Sequence, residues 1–231
     1  MSRWNVADVM TIGAVSVQED TPFKEIVDLL EAHGINAVPV VDKFDRVVGV
    51  VSSADLVPKI EFAGDDDHLR LFENKHTRQA RDKAHATAAG ELMTTPAVTV
   101  MGTTSVVAAA RIMENGELKR LPVVDDLGRL VGMVTRRDLL KVFLRTDADL
   151  RREILAEAVN GLVGVDASQM RVEVDDGVVT LLGEVERSSL IPSVVRQIER
   201  IDGVVDVVSH LSARSDDAQD RQRSYRAPVM F

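Results

Sequence analysis

A hydroxyl residue followed three positions later by an aspartate occurs twice in this chain: Ser52 with Asp55 in "SSAD", and Thr135 with Asp138 in "TRRD". Each pair stands where an apolar run rich in Val and Gly gives way to helix-forming residues, so each reads as a strand-to-helix corner. Two readings use the same atoms. In one, the hydroxyl caps the helix start and the carboxylate reaches back to the cap's backbone N–H, a capping box that needs no ligand. In the other, the free N–H groups and positive dipole end suit a phosphate, and the carboxylate accepts two hydrogen bonds from a ribose diol. Gly49 and Gly132, three residues before each hydroxyl, let strand and helix approach.

The two corners differ in charge. Arg136 and Arg137 lie inside the second, and Lys119 and Arg120 precede its "LPVV", whereas "SSAD" and "INAVPVV" carry no base. Guanidinium groups suit phosphate oxygens. Proximity along the chain therefore makes the Asp138 corner the tighter phosphate site, unless the fold carries a base from one corner to the other. Arg137 also reads as a solvated surface residue.

The elements that must position these groups form a duplication. A shift of 83 residues lays "DVMTIGAVSV" on "ELMTTPAVTV" and "VPVVD" on "LPVVD", and carries Arg46 to Arg129, Gly49 to Gly132 and Asp55 to Asp138. About fifty positions align without a gap, roughly a third of them identical, which marks an internal repeat. Each copy reads as strand, helix, strand, strand, helix. Thr21 caps the first copy's helix with Pro22 at its first position, and Phe23, Ile26, Val27 and Leu30 share a face. In the second copy Thr104 or Ser105 is the cap, and Val106, Ala109, Ala110 and Met113 take the matching face. The next two strands turn at Asp42 to Asp45 and at Asp125 to Gly128.

This frame, "hPVVD…G.hhGhh[ST]xxD" in duplicate (h for an apolar residue), resembles the CBS (cystathionine β-synthase) domain, which occurs in tandem pairs. The resemblance covers about residues 6–60 and 89–145. It implies an α/β fold: an intertwined tandem module of two βαββα repeats related by a pseudo-two-fold axis, which binds adenosine-containing ligands in clefts between the repeats. It also implies the site. Asp55 and Asp138 would take ribose hydroxyls, Ser52 and Thr135 would lie near phosphate or ribose, and Ile12, Val38, Pro39, Thr95, Leu121 and Pro122 would form apolar slots for the base. Arg120 and Arg136 join that set as phosphate partners. The candidate ligands are AMP, ADP and ATP, none of them a required cofactor.

Val57 to Ala88 is long for a connection within such a pair. It is polar, with Leu69, Leu71 and Phe72 as a small apolar patch, and its second half reads as a helix. Asp65, Asp66, Asp67 and His68 read as a solvated acidic turn rather than a cation loop. His76 and His85, nine residues apart, fall on nearly opposite helix faces and make no zinc pair. The insert suits a lid or part of a dimer contact.

The pattern changes near Asp149. "DADLRREILAEAVNGL" suits a helix, and "MRVEV" and "VVTLLGEV" suit strands around the turn Asp175-Asp176-Gly177. "SSLIPSVVRQIERI" suits a second helix and "GVVDVVSHL" a last strand. The frame "V.V.DGVVTLLGEV" followed by "IDGVVDVVSHL" resembles a BON domain. That resemblance implies a small αββαβ module of a kind associated with membrane or phospholipid contact; a plain α+β interaction module is the preferred reading of the segment here. The boundaries read as 1–60 for the first repeat, 61–88 for the insert, 89–146 for the second repeat, 147–213 for the BON domain and 214–231 for a disordered tail.

Composition narrows the function classes. The 231 residues include no Cys, which removes disulfides, thiolate metal sites and a Cys nucleophile. The start "MSRWNVADVM" lacks the apolar core of a signal peptide, and no window approaches ~18 apolar residues, so a cytoplasmic chain is expected. A net charge of −9 opposes sequence-independent nucleic-acid binding. No phosphate loop, dinucleotide fingerprint or His-paired nucleophile occurs, so catalytic residues are expected to be none. The leading expectation is a non-enzymatic sensor, homodimeric, that signals ligand binding to the BON domain or to a protein partner. The competing expectation is a structural or membrane-associated BON adaptor with empty CBS clefts.

Overall fold

A computed structural model describes residues 4–63, 75–159 and 169–217. It divides into two compact units, Asn5–Leu139 and a second made of the remainder, Met1–Trp4 with Leu140–Phe231.

In the first unit the apolar runs form two sheets. β2 (Val17–Gln18) and β5 (Val100–Met101) open the repeats. Each is parallel to the strand that follows the repeat's helix, β3 (Ala37–Val41) or β6 (Arg120–Val124), and antiparallel β4 (Val47–Ser52) and β7 (Leu130–Thr135) lie alongside. The helices are α2 (Phe23–Ala32) and α7 (Val106–Asn115). Ser105 caps α7 and accepts from the Ala108 N–H at 3.2 Å. Pro22, not Thr21, is the cap position of α2, and the Thr21 hydroxyl accepts from the Gln18 N–H instead. Proline's fixed φ and missing donor allow it there. Ile26 and Leu30 are buried on α2, while Val27 is exposed.

The repeats are intertwined, and the exchange obeys the 83-residue shift. Short helices α1 (Val6–Val9) and α6 (Ala89–Leu92) lead into segments that leave their own repeat. β1 (Thr11–Ile12) pairs with β7, Thr11 opposite Met133. Thr94, the counterpart of Thr11, bridges Val50 in β4, with hydrogen bonds of 2.9 and 3.2 Å in the two directions. The same symmetry relates the Val6 N–H on the Thr104 carbonyl to the Ala89 N–H on the Thr21 carbonyl. Arg46 bridges its own counterpart Arg129, which places those two positions on the pseudo-axis.

This exchange corrects the role expected of the paired glycines. A Cβ at Gly49 would lie 2.4 Å from the Met93 sulfur, and one at Gly132 would lie 2.5 Å from the Thr11 carbonyl oxygen. Both glycines admit the segment crossing from the other repeat, rather than the helix of their own.

In the second unit Thr146 caps α9 (Asp147–Glu153), accepting from the Asp149 N–H, and a π-helical turn Ile154–Val159 continues it. β8 (Met170–Asp175) and β9 (Val178–Arg187) form the expected hairpin. α10 (Ile191–Ile198) then crosses to β10 (Asp206–Ser215), which runs parallel to β9. Leu150, Ile154, Val172, Leu181, Val194 and Ile198 meet in one core. This unit begins before the change in pattern near Asp149. Arg145 donates to the Asp202 carbonyl at 2.7 Å and pairs with Glu153, which ties the turn Leu140–Leu144 to it. Structure continues past the expected boundary at 214: Arg214 is in β10 and pairs with Glu184, and Ser189 bonds Asp217. The acidic turn Asp65 to His68 and the patch Leu69, Leu71, Phe72 lie outside the described residues.

Candidate ligand cleft

Strand exchange builds a cleft from both repeats. After Thr94 pairs with β4, the chain runs past the first corner as Pro96-Ala97-Val98. The loop and first residues of β6, Glu117 to Arg120 with Pro122, form the facing wall, and Asn36, Val50 and Ser52 to Asp55 complete the cavity, about 390 Å³ in volume. That volume lies in the range of small-molecule sites, which are mostly apolar with a few converging polar groups. Here the apolar wall is Val50, Pro96, Ala97, Val98 and Pro122, and the charged groups are Asp55, Glu117, Lys119 and Arg120.

Both corners are capping boxes. The Asp55 Oδ2 atom accepts from the Ser52 N–H at 2.7 Å and from the Ser52 hydroxyl at 2.6 Å. The Asp138 Oδ2 atom accepts from the Thr135 N–H at 2.9 Å and the Thr135 hydroxyl at 2.7 Å. The helices they start, α3 (Ser53–Leu56) and α8 (Arg136–Leu139), are only four residues each. A single turn has little summed dipole, so phosphate attraction must come from side chains.

The side-chain bases are distributed differently from their order in sequence. Lys119 and Arg120 line the cavity of Asp55, because the two repeats share each wall. Arg120 is half-buried, and loss of solvation holds its pKa below the ordinary value. Among the described residues no carboxylate forms an ion pair with it. Arg136 is tied to its own repeat, donating to the carbonyls of Leu118 at 2.9 Å and Met113 at 3.3 Å and pairing with Glu114. Proximity in sequence thus assigned Lys119 and Arg120 to the wrong corner.

Of the apolar residues expected around a base, Pro122 lines this cavity. Val38 and Leu121 are both 0% exposed and belong to the core, because β3 and β6 are covered on both faces. Thr95 points its hydroxyl at the Val48 carbonyl, 2.9 Å away, while its neighbours Thr94 and Pro96 face the cavity. Ile12, the counterpart of Thr95, is 76% exposed, and Pro39, the counterpart of Pro122, is buried.

One contact at the site had no signal in the sequence. The insert helix α5 (Lys75–His85) carries Lys83, whose ammonium bonds Asp55 Oδ1. Lys59, in the short helix α4 (Pro58–Glu61), fastens the end of α5, donating to the Ala86 carbonyl at 2.7 Å and the Ala84 carbonyl at 3.1 Å. Among the described residues no three metal-ligating side chains cluster, and no helix is long and apolar enough to cross a membrane.

Comparison with known proteins identifies the domains. Residues 6–61 and 89–145 match the CBS domain family, and residues 146–215 match the BON domain family. The uncharacterized protein MJ1426 of Methanocaldococcus jannaschii is 28% identical over 153 residues, 60% of this chain and 90% of its own length. A homoserine O-acetyltransferase of Methanocorpusculum labreanum is 31% identical over 139 residues, which are 60% of this chain but 24% of that enzyme. Among solved structures, CBSX2 of Arabidopsis thaliana in complex with AMP superposes with a TM-score of 0.53 at 30% identity, covering 61% of this chain and 97% of that one. The chain is a CBS domain pair followed by a BON domain.

Proposed function

We propose that the chain is a non-enzymatic regulator whose Asp55 cleft binds an adenine nucleotide, with AMP the leading ligand and ADP and ATP of the same class. One observation carries the reading: a carboxylate suited to a ribose diol and a half-buried guanidinium, with no carboxylate partner among the described residues, line one cavity of ligand size. A buried cation is stabilised by an anion that forms charge-assisted hydrogen bonds with it. Pro96, Ala97, Val98 and Pro122 supply the apolar surface for a base. The structural likeness to CBSX2 with AMP supports the same ligand class. The ligand then shifts the chain between two states, by no more than its difference in affinity for them, and the BON domain or a partner reads the change. Pairing into a homodimer belongs to the same reading, with Val57 and Ile60, 53% and 80% exposed, as apolar surface for it.

Thermal unfolding with AMP, ADP, ATP, NADH and S-adenosylmethionine tests this reading. A ligand at a hundred times its Kd stabilises the unit by about 2.7 kcal/mol. AMP is expected to raise the unfolding temperature of the Asn5–Leu139 unit by several degrees. No shift with any of the five would leave the adaptor role, with empty clefts, as the better reading.

A further inference from the structure

The geometry points to Lys83 as a specificity-determining residue that tunes the Asp55 cleft for a phosphorylated nucleoside over a neutral one. This inference rests on the assignment of that cleft to an adenine nucleotide. The Lys83–Asp55 pair is well shielded, with the side chains 22% and 13% exposed. Lys83 lies in the insert, outside both residue ranges that match the CBS family.

Charge explains what the lysine does. The cavity wall carries two acids, Asp55 and Glu117, against two bases, Lys119 and Arg120. Without Lys83 the acids and bases cancel, and the Asp55 carboxylate repels any phosphate carried on a ribose bound to it. With Lys83 on its Oδ1 atom, that carboxylate is neutralised and the cleft has a net positive charge. A dianionic phosphate gains from the change, and a neutral nucleoside does not.

The lysine is placed in advance. Lys59 holds the carbonyls at the end of α5, and Ala86 just beyond is 4% exposed in the core. The docked helix therefore holds the Lys83 ammonium against the Asp55 carboxylate before any ligand arrives.

Calorimetric titration of AMP and of adenosine into the full chain, its Lys83→Met variant and its Lys83→Arg variant tests the inference. Lys83→Met is expected to weaken AMP about tenfold, with adenosine changed less than about threefold, and Lys83→Arg to restore AMP. Equal weakening of both ligands by Lys83→Met would mean that the lysine only holds the helix. Tightening of both would mean that it competes with the ribose. Either result overturns the inference and leaves the cleft assignment standing. Failure of the unaltered chain to bind either ligand removes the cleft assignment, and this inference with it.

Discussion

Asp55→Ala is expected to weaken AMP binding about a hundredfold while the first unit stays folded. The carboxylate is the acceptor that the ribose diol would use, and hydrogen bonds to a charged group contribute about 1.5–3 kcal/mol each. A hundredfold loss corresponds to about 2.7 kcal/mol, within what two such bonds supply. The same substitution removes a capping box at Ser52, which costs about 0.5–2 kcal/mol of stability. Asp138→Ala is the control, because it removes an equivalent box at Thr135. It should also lower the unfolding temperature and leave the stronger AMP event within about threefold. The reverse order, with Asp138→Ala abolishing the stronger event, would mean that the bases seen at the Asp55 cavity do not set affinity.

Gly183→Ala is expected to unfold the second unit. Gly183 sits in β9 at φ +131°, and a Cβ there would lie 2.1 Å from the Gln169 carbonyl oxygen. That obstacle is backbone and cannot turn aside. Strain at such a φ alone costs about 1–3 kcal/mol, and the clash adds to it. A domain of this size has only a few kcal/mol to lose. The expected outcome is loss of dispersed amide signals from β8, β9 and β10, with the unfolding of the Asn5–Leu139 unit unchanged. A variant whose second unit melts within about 3 °C of the original would show that the strand has room to shift.

Much of the first unit was legible because duplication supplies its own check. The 83-residue shift that aligns Asp55 with Asp138 also aligns Thr11 with Thr94, and both threonines cross to the opposite sheet. The crossing was implied by the family resemblance alone and not by the local pattern. Nothing local in "DVMTIG" or "ELMTTP" distinguishes pairing within a repeat from pairing between repeats, and that choice decides which cleft receives Lys119 and Arg120.

Val38 and Leu121 were misread for a different reason. A strand covered on both faces is apolar throughout, so alternation cannot say which side chains face a cleft. Lys83 had no signal at all, because a polar insert carries no periodicity that relates one lysine to an aspartate 28 residues earlier. The capping boxes were plain from spacing alone, since their chemistry is completed within one turn.

In the proposed function an adenine nucleotide sits between the first corner and the wall contributed by the second repeat. Backbone amide spectra recorded during an AMP titration test it most directly. Ser52 to Asp55, Thr94, Ala97, Val98 and Glu117 to Arg120 are expected to shift together and saturate at one AMP concentration. Shifts confined to Thr135 to Asp138, or none at saturating AMP, would contradict it.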